Sequence, residues 1–310
     1  MKTKNTLIII TATFLTLIIS SPTPSLPNEC QNWQTNHPEW IFCDDFEDGT
    51  ALLRLGRYFE YDNNGGDFVI VDGVGYNGSK GMRVRWQQGE TEAGYLHLAF
   101  GRNPGSGMSN GIRTSEDFRE VYYRMYLKLQ SGWSGYPAKL SRATVIAGSD
   151  WRQAMIAHLW TNDTPALAID PASCVSGGTV QCVGYNDFTH LQWLGAINGT
   201  TPLFDGQPSH NNKWYCIEAH VKLNGPGQSN GVQEFWIDGQ LDARKEGLNF
   251  VGSYTSYGMN AIFFENHWNS GSPKLQERYF DNIVVSTQRI GCLNLNNDPP
   301  APPANLRKIE

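Results

Sequence analysis

Trp214-Tyr-Cys-Ile-Glu-Ala-His-Val-Lys-Leu-Asn224 runs into Gly225-Pro-Gly-Gln-Ser-Asn-Gly231 and then Phe235-Trp-Ile-Asp-Gly239. In the first piece Tyr215, Ile217, Ala219, Val221 and Leu223 share one face of an extended chain. Trp214, Cys216, Glu218, His220 and Lys222 share the other. A period of two over this length marks a strand with one side turned to a core. The Gly/Pro/Asn stretch supplies a turn, and Asp238-Gly239 is a strong tight-turn pair. The run reads as consecutive antiparallel strands, with Glu218, His220 and Lys222 taken as a solvated outer face held by cross-strand charge pairing.

The same pattern spreads both ways from the hairpin. Strands are expected at Trp40–Phe46, Phe68–Asp72, Met82–Gln87, Tyr95–Phe100, Val121–Gln130 and Lys139–Ala147. Others are expected at Ala154–Thr161, His190–Ile197, Lys213–Asn224, Gln233–Asp238, Asn260–His267 and Tyr279–Thr287. In Val121–Leu129, Tyr123, Met125, Leu127 and Leu129 oppose Tyr122, Arg124, Tyr126 and Lys128. No helical period of any length intervenes. Many short alternating strands with turn punctuation indicate an all-β, antiparallel sandwich.

Composition agrees. Of 310 residues, 40% are hydrophobic and 17% charged, which suffices for a core and excludes global disorder. Net charge is −6 with no Lys/Arg block, which argues against nucleic acid as a partner. Lys2 and Lys4 precede an apolar run, Leu7 to Ile19, that is shorter than the ~20 residues of a membrane span. Residues 1–25 therefore read as an export signal, 26–295 as one β domain, and 296–310 as a proline-rich tail or linker. The mature chain is expected outside the cytoplasm, secreted or periplasmic, with no membrane span. Six cysteines suit that setting. They allow 15 connectivities; the expected one is Cys30–Cys43, Cys174–Cys182 and Cys216–Cys292, two local loops and one tie from an internal strand to the domain's end.

The quoted hairpin resembles the W-x-x-x-E…LN-x-PG…W-x-DG run of polysaccharide lyase families 14 and 20, members of the concanavalin A-like jelly rolls. Phe42-Cys-Asp-Asp-Phe-Glu-Asp-Gly49 is similar to that group's opening strand and Tyr279-Phe-Asp-Asn-Ile-Val-Val-Ser-Thr287 to its closing one. The resemblance implies a β-jelly-roll sandwich and a polysaccharide partner, anionic for a lyase. It also implies structural calcium at Asp281, which otherwise caps a turn or pairs with a base; no organic cofactor is expected. Glycosidases of the group need paired carboxylates on one strand; the matching strand here, Ala154–Thr161, carries no acid. β-Elimination on a uronate needs instead a neutraliser for the carboxylate, a base for the C5 proton and an acid for the leaving oxygen. Arg124 or Gln192 is expected to neutralise, Lys139 or His158 to act as base, and Tyr126 as acid. Lys139 lies in Tyr136-Pro-Ala-Lys-Leu, similar in its Lys-Leu to a family 14 run. Arg83, Arg85, Trp160, Asn266, His267 and Trp268 are expected to contact sugar. The alternative is a non-catalytic glycan-binding or adhesion module on the same fold.

Overall fold

The computed structural model describes residues 28–48, 57–105, 107–108 and 110–293. The expected export signal and proline-rich tail lie outside these residues. Strands are numbered in chain order: β1 (Trp40–Asp44), β2 (Glu60–Asp62), β3 (Phe68–Val71), β4 (Gly81–Trp86), β5 (Glu92–Ala99), β6 (Glu120–Leu129). Next come β7 (Lys139–Ile146), β8 (Gln153–Thr161), β9 (Leu167–Ser173), β10 (Val175–Ser176), β11 (Thr179–Val180) and β12 (Gln192–Trp193). The last are β13 (Ile197–Asn198), β14 (Trp214–Lys222), β15 (Gly231–Ile237), β16 (Gln240–Leu248), β17 (Ala261–His267) and β18 (Gln276–Ser286).

Two antiparallel sheets face each other. The first runs β16-β15-β14-β6-β18-β4-β3, with β1 also on β18; the second runs β12-β9-β8-β7-β17-β5-β2, with β13 also on β9. The hairpin that opens the argument sits in the first sheet, with Glu218 opposite Trp236. Asp238 (φ 50°) and Gly239 (φ 82°) turn β15 into β16, as a two-residue hairpin requires. Alternation builds the core. Tyr123, Met125 and Leu127 of β6 pack with Leu96, Leu98, Val145, Leu159 and Phe264 of the second sheet, all with at most 1% exposure. Tyr123 and Ser141 hydroxyls meet across this layer at 3.2 Å.

Five strands, β2, β9, β10, β11 and β16, are not among those expected. Leu167–Ser173 pairs with β8 although it contains Pro171. The carbonyl of Pro171 takes the Leu194 N–H at 2.9 Å, in the gap between the short pairings of β12 and β13, so the missing donor breaks no continuous ladder. That same gap splits the expected His190–Ile197 strand in two. β16 is polar and mostly exposed because it is an edge strand.

The outer face of the first sheet is covered, not solvated. Residues 286–293 cross it, and buried Glu218 accepts the N–H groups of Ile290 (2.7 Å) and Gly291 (3.2 Å) and pairs with Arg289. His220 is also buried, between Glu234 (2.7 Å) and Glu120 (2.9 Å). The outer-face reading of Glu218 and His220 is corrected accordingly; Lys222 alone of the three is exposed. The cysteines pair as Cys30–Cys43, Cys174–Cys182 and Cys216–Cys292.

Asp44 ends β1 inside the protein. One oxygen takes Arg57 at 2.7 Å and the Phe46 N–H at 3.0 Å, while the other has no hydrogen-bond partner among the described residues. Burial outweighs Arg57 and pushes the carboxyl from 3.8 up to about 7. An acid raised by folding favours the folded state below its unfolded value and loses that advantage as pH climbs to the folded one. Asp44→Asn is expected to flatten the decline of urea-unfolding free energy between pH 3.8 and about 7; an unchanged slope in the variant would remove this assignment.

Candidate active-site cleft

A cleft of about 450 Å³ opens on the side of the second sheet turned away from the core. Its floor comes from β5, β7 and β17, and one wall from the loop between Cys182 and Leu191. Lys139 and Arg142 are three residues apart, which strict alternation would place on opposite faces. A register shift between Lys139 and Ser141 brings both outward.

Glu265 of β17 is the hub. Its Oε1 accepts from Arg142 Nη2 at 2.7 Å and from the Tyr185 hydroxyl at 3.1 Å, with Lys139 Nζ at 3.5 Å. Arg142 is fully buried; it also donates to Asn186 Oδ1 at 2.6 Å and to the Tyr185 oxygen. Burial alone raises the Glu265 carboxyl, but Arg142, Lys139, His97 and His158 together bring it down to about 2. The pair is thus an ionised carboxylate on a guanidinium, with the Lys139 ammonium beside it.

The Tyr185 loop has no secondary structure of its own, yet it is pinned. Asp187 accepts the Val183 N–H at 3.0 Å and contacts His190 at 2.7 Å, and the Asn186 N–H donates to Gln153 at 3.0 Å. Across the cleft, His97 contacts Glu60 through Nδ1 at 2.7 Å. The imidazole is sandwiched between Tyr95 (4.3 Å) and Phe263 (3.8 Å). Burial lowers the His97 pKa against the pull of Glu60, so the ring favours its neutral form. Tyr95 is pushed the other way, by burial and then by Glu60, Asp62 and Glu92, and holds its phenolic proton.

The residues singled out in the sequence fall in four places. Lys139 lies in the cleft. His267 contacts Glu92 on its rim at 2.5 Å. His158 and Trp160 share the same sheet face one strand away, and Gln192 is exposed on the edge strand β12. His158 is buried, with its pKa driven down to about 3 by burial and by Arg142. A neutral imidazole of such low basicity is a poor proton acceptor.

Arg124 and Tyr126 sit on the opposite sheet, facing outward under Glu29 and residues 291–293. Arg124 meets Glu29, the Gly291 carbonyl (3.1 Å) and the Asn282 carbonyl (3.3 Å); the Tyr126 oxygen accepts the Leu293 N–H at 2.6 Å. Arg83 and Arg85 share that sheet and pair with Glu277 at 3.8 and 3.0 Å. Asn266 and Trp268 are internal. Asn266 holds the buried Arg278 at 2.7 Å, and Trp268 packs on Trp133 and Trp86. Neither group reaches the cleft. The other residues that line the cleft, among them Glu265, Tyr185, Tyr95 and His97, with Arg142 buried behind them, left one clear mark in the sequence: Glu265 heads the polar-aromatic run Glu265-Asn-His-Trp-Asn269.

Solved structures share this architecture. The endo-β-1,4-glucuronan lyase of the fungus Trichoderma reesei is 13% identical, with a TM-score of 0.50 over 80% of this chain and 96% of that one. An alginate lyase from Chlorella virus is 11% identical, with a TM-score of 0.54 over 80% of this chain and 99% of that one. The marine PL-14 alginate lyase from Aplysia kurodai is 13% identical, with a TM-score of 0.50 over 80% and 99%. The fold is a β-jelly-roll sandwich, shared with these polysaccharide lyases. No family model and no curated protein matches the sequence. At these identities the lyase likeness speaks for the fold, and the chemistry has to be argued from the cleft's own residues.

Proposed function

We propose that the cleft binds a uronate-bearing polysaccharide and cuts it by β-elimination. The convergence of Lys139, Arg142 and Tyr185 on one oxygen of Glu265, on the open face of a lyase-fold sheet, carries this reading. Around Glu265 the two cations Lys139 and Arg142 outnumber the one carboxylate, and Lys139 is the group that would meet the sugar carboxylate as it takes up charge, while Glu60 and Glu92 line the far side of the cleft. Tyr185 first releases its own phenolic proton to solvent; the phenolate, stabilised by the Arg142 guanidinium behind it, then takes the C5 proton. The electron pair moves into the C4–C5 bond, the C4–O bond breaks, and the leaving oxygen takes the proton that Tyr95 retains. His97 holds Tyr95 by ring stacking, and Glu265 positions Lys139 and Tyr185. Export to an oxidising compartment suits both a polymer substrate and three disulfides.

Purified protein is to be incubated with alginate, glucuronan and a heparin-type polymer. The expected result is a steady rise in the ultraviolet absorbance of the unsaturated uronate on one of them. Flat traces on all three, from folded protein, reject elimination. Retained polymer binding would then support the non-catalytic glycan-binding module, a reading favoured by the engagement of Arg142 with Glu265, Tyr185 and Asn186.

Calcium belongs to the same proposal. Asp281, 1% exposed, accepts from the Tyr76 N–H (2.6 Å), the Asn282 N–H (2.7 Å) and the Ser79 hydroxyl (3.1 Å). Burial raises it to about 7, with the Glu47 charge adding to the effect. The oxygens fit a hard cation in kind, with two carboxylates, Asp281 and Glu47, and among the described residues no cluster of three or more His, Cys, Asp or Glu. Asp281, Glu47 and the Ser79 hydroxyl would hold the ion and fix the loop of Ser79 against β18. Millimolar calcium is expected to raise the melting temperature by several degrees, an effect absent from Asp281→Ala; equal melting curves with calcium and with chelator would exclude the site.

A further inference from the structure

We infer that Trp160, Trp193 and Phe188 form an uncharged sugar subsite beside the cleft, gripping the apolar face of the pyranose next to the one being cut. The inference rests on the polysaccharide reading of the cleft. Phe188 and Trp193 are 50% and 44% exposed, an unusual display of large aromatic surface, and both lie on one short stretch with Tyr185. Their rings are nearly parallel: Phe188 and Trp193 are 6.2 Å apart at 9°, and Trp193 and Trp160 are 5.8 Å apart at 24°.

The sheet beneath is shaped for this. Trp160 lies opposite Ala168 and Trp193 opposite Ala172, so small side chains leave room for the rings. His158 stacks on Trp160 at 4.2 Å. The buried His158 Nε2 and Trp160 Nε1 have no hydrogen-bond partner among the described residues. Trp160 pairs with Lys139 across β7 and β8, so the aromatic row begins on the strand next to the one that bears the cleft's cation, with backbones about 4.8 Å apart.

The row is also rigid. The Cys174–Cys182 bond and the Asp187 contacts fix the loop that bears Phe188, which lessens the ordering cost of binding. Asp170, between the rows of Trp160 and Trp193 on β9, offers a carboxyl for hydroxyls at the rim. An aromatic face with a polar rim, continuous with a cleft for charged sugar, matches a pyranose chain better than a protein surface does.

The test uses the whole protein and two variants, Trp193→Ala and Trp193→Phe. Each is titrated by calorimetry with short oligosaccharides of alginate and of glucuronan, and each is assayed for elimination. Trp193 is half exposed, so both variants should melt with the wild type. Expected is an affinity loss of about tenfold for Trp193→Ala, largely restored by Trp193→Phe. Where elimination occurs, KM should rise in Trp193→Ala with kcat unchanged. Oligosaccharide affinity that depends on Trp193, in a protein that eliminates nothing, upholds the subsite and removes the lyase reading. Elimination with equal affinity and KM in all three proteins upholds the lyase and overturns the subsite. A wild type that binds neither oligosaccharide overturns the subsite as well.

Discussion

Glu265→Gln should destabilise the protein by about 3–5 kcal/mol at neutral pH, although the substitution keeps shape and hydrogen-bonding capacity. The reason is Arg142. Its guanidinium has no exposure, and Glu265, at 2.7 Å, is the anion it touches. Glutamine would leave that cation buried and uncompensated, with Lys139 adding a second positive charge. The pH dependence provides an internal check. The Glu265 carboxyl is held at about 2, against 4.5 when unperturbed. A depressed acid stabilises the fold above its unfolded pKa and loses that contribution as pH falls to the folded value. Wild type should therefore lose stability between pH 4.5 and about 2 more steeply than the variant. Chemical denaturation across that range reads both effects. A destabilisation below about 1 kcal/mol would mean that water reaches Arg142 and that the pair is not a dry ion pair.

Lys139→Ala is expected to lower kcat for elimination by roughly 10²- to 10³-fold while leaving the fold intact. The ammonium is the cleft's accessible cation, whereas Arg142 is sealed behind Tyr185 and Asn186. Charge accumulates on the sugar carboxylate as the C5 proton leaves, so the loss should fall on kcat more than on KM. Arg85→Ala serves as the control. Arg85 pairs with Glu277 on the other sheet and should leave both constants unchanged. Activity of Lys139→Ala within threefold or so of wild type would place the neutraliser elsewhere.

How much of this could be read beforehand follows from what alternation reports. It identifies residues that share a face, and for β6 and β14 it separated core from non-core side chains correctly. It is silent on what lies above the other face. Arg124 and Tyr126 share a face as read, but that face is roofed by residues 286–293, whereas the face of Lys139 stays open. Alternation also assumes an unbroken period. The bulge that puts Lys139 and Arg142 on one side lies outside that assumption, as does a strand with Pro171 at its centre. Tyr185 and Phe188 belong to a loop fixed by Asp187 and a disulfide, and no periodic signal marks such a segment. The fold was legible because many strands repeat one rule; the cleft was only partly so because its key side chains sit where the rule is broken.

Arg124 touches both Glu29 and the carbonyl of Gly291, so the two ends of the described domain meet at one spot on the first sheet. The cleft looks out from the second. A linker, module or solid support attached at Asn28 or Leu293 would therefore leave from the sheet opposite the cleft. Such a tether could pull the open face toward a polymer without shading it. Joining the two ends to each other would also ask little of the fold, because they are already neighbours.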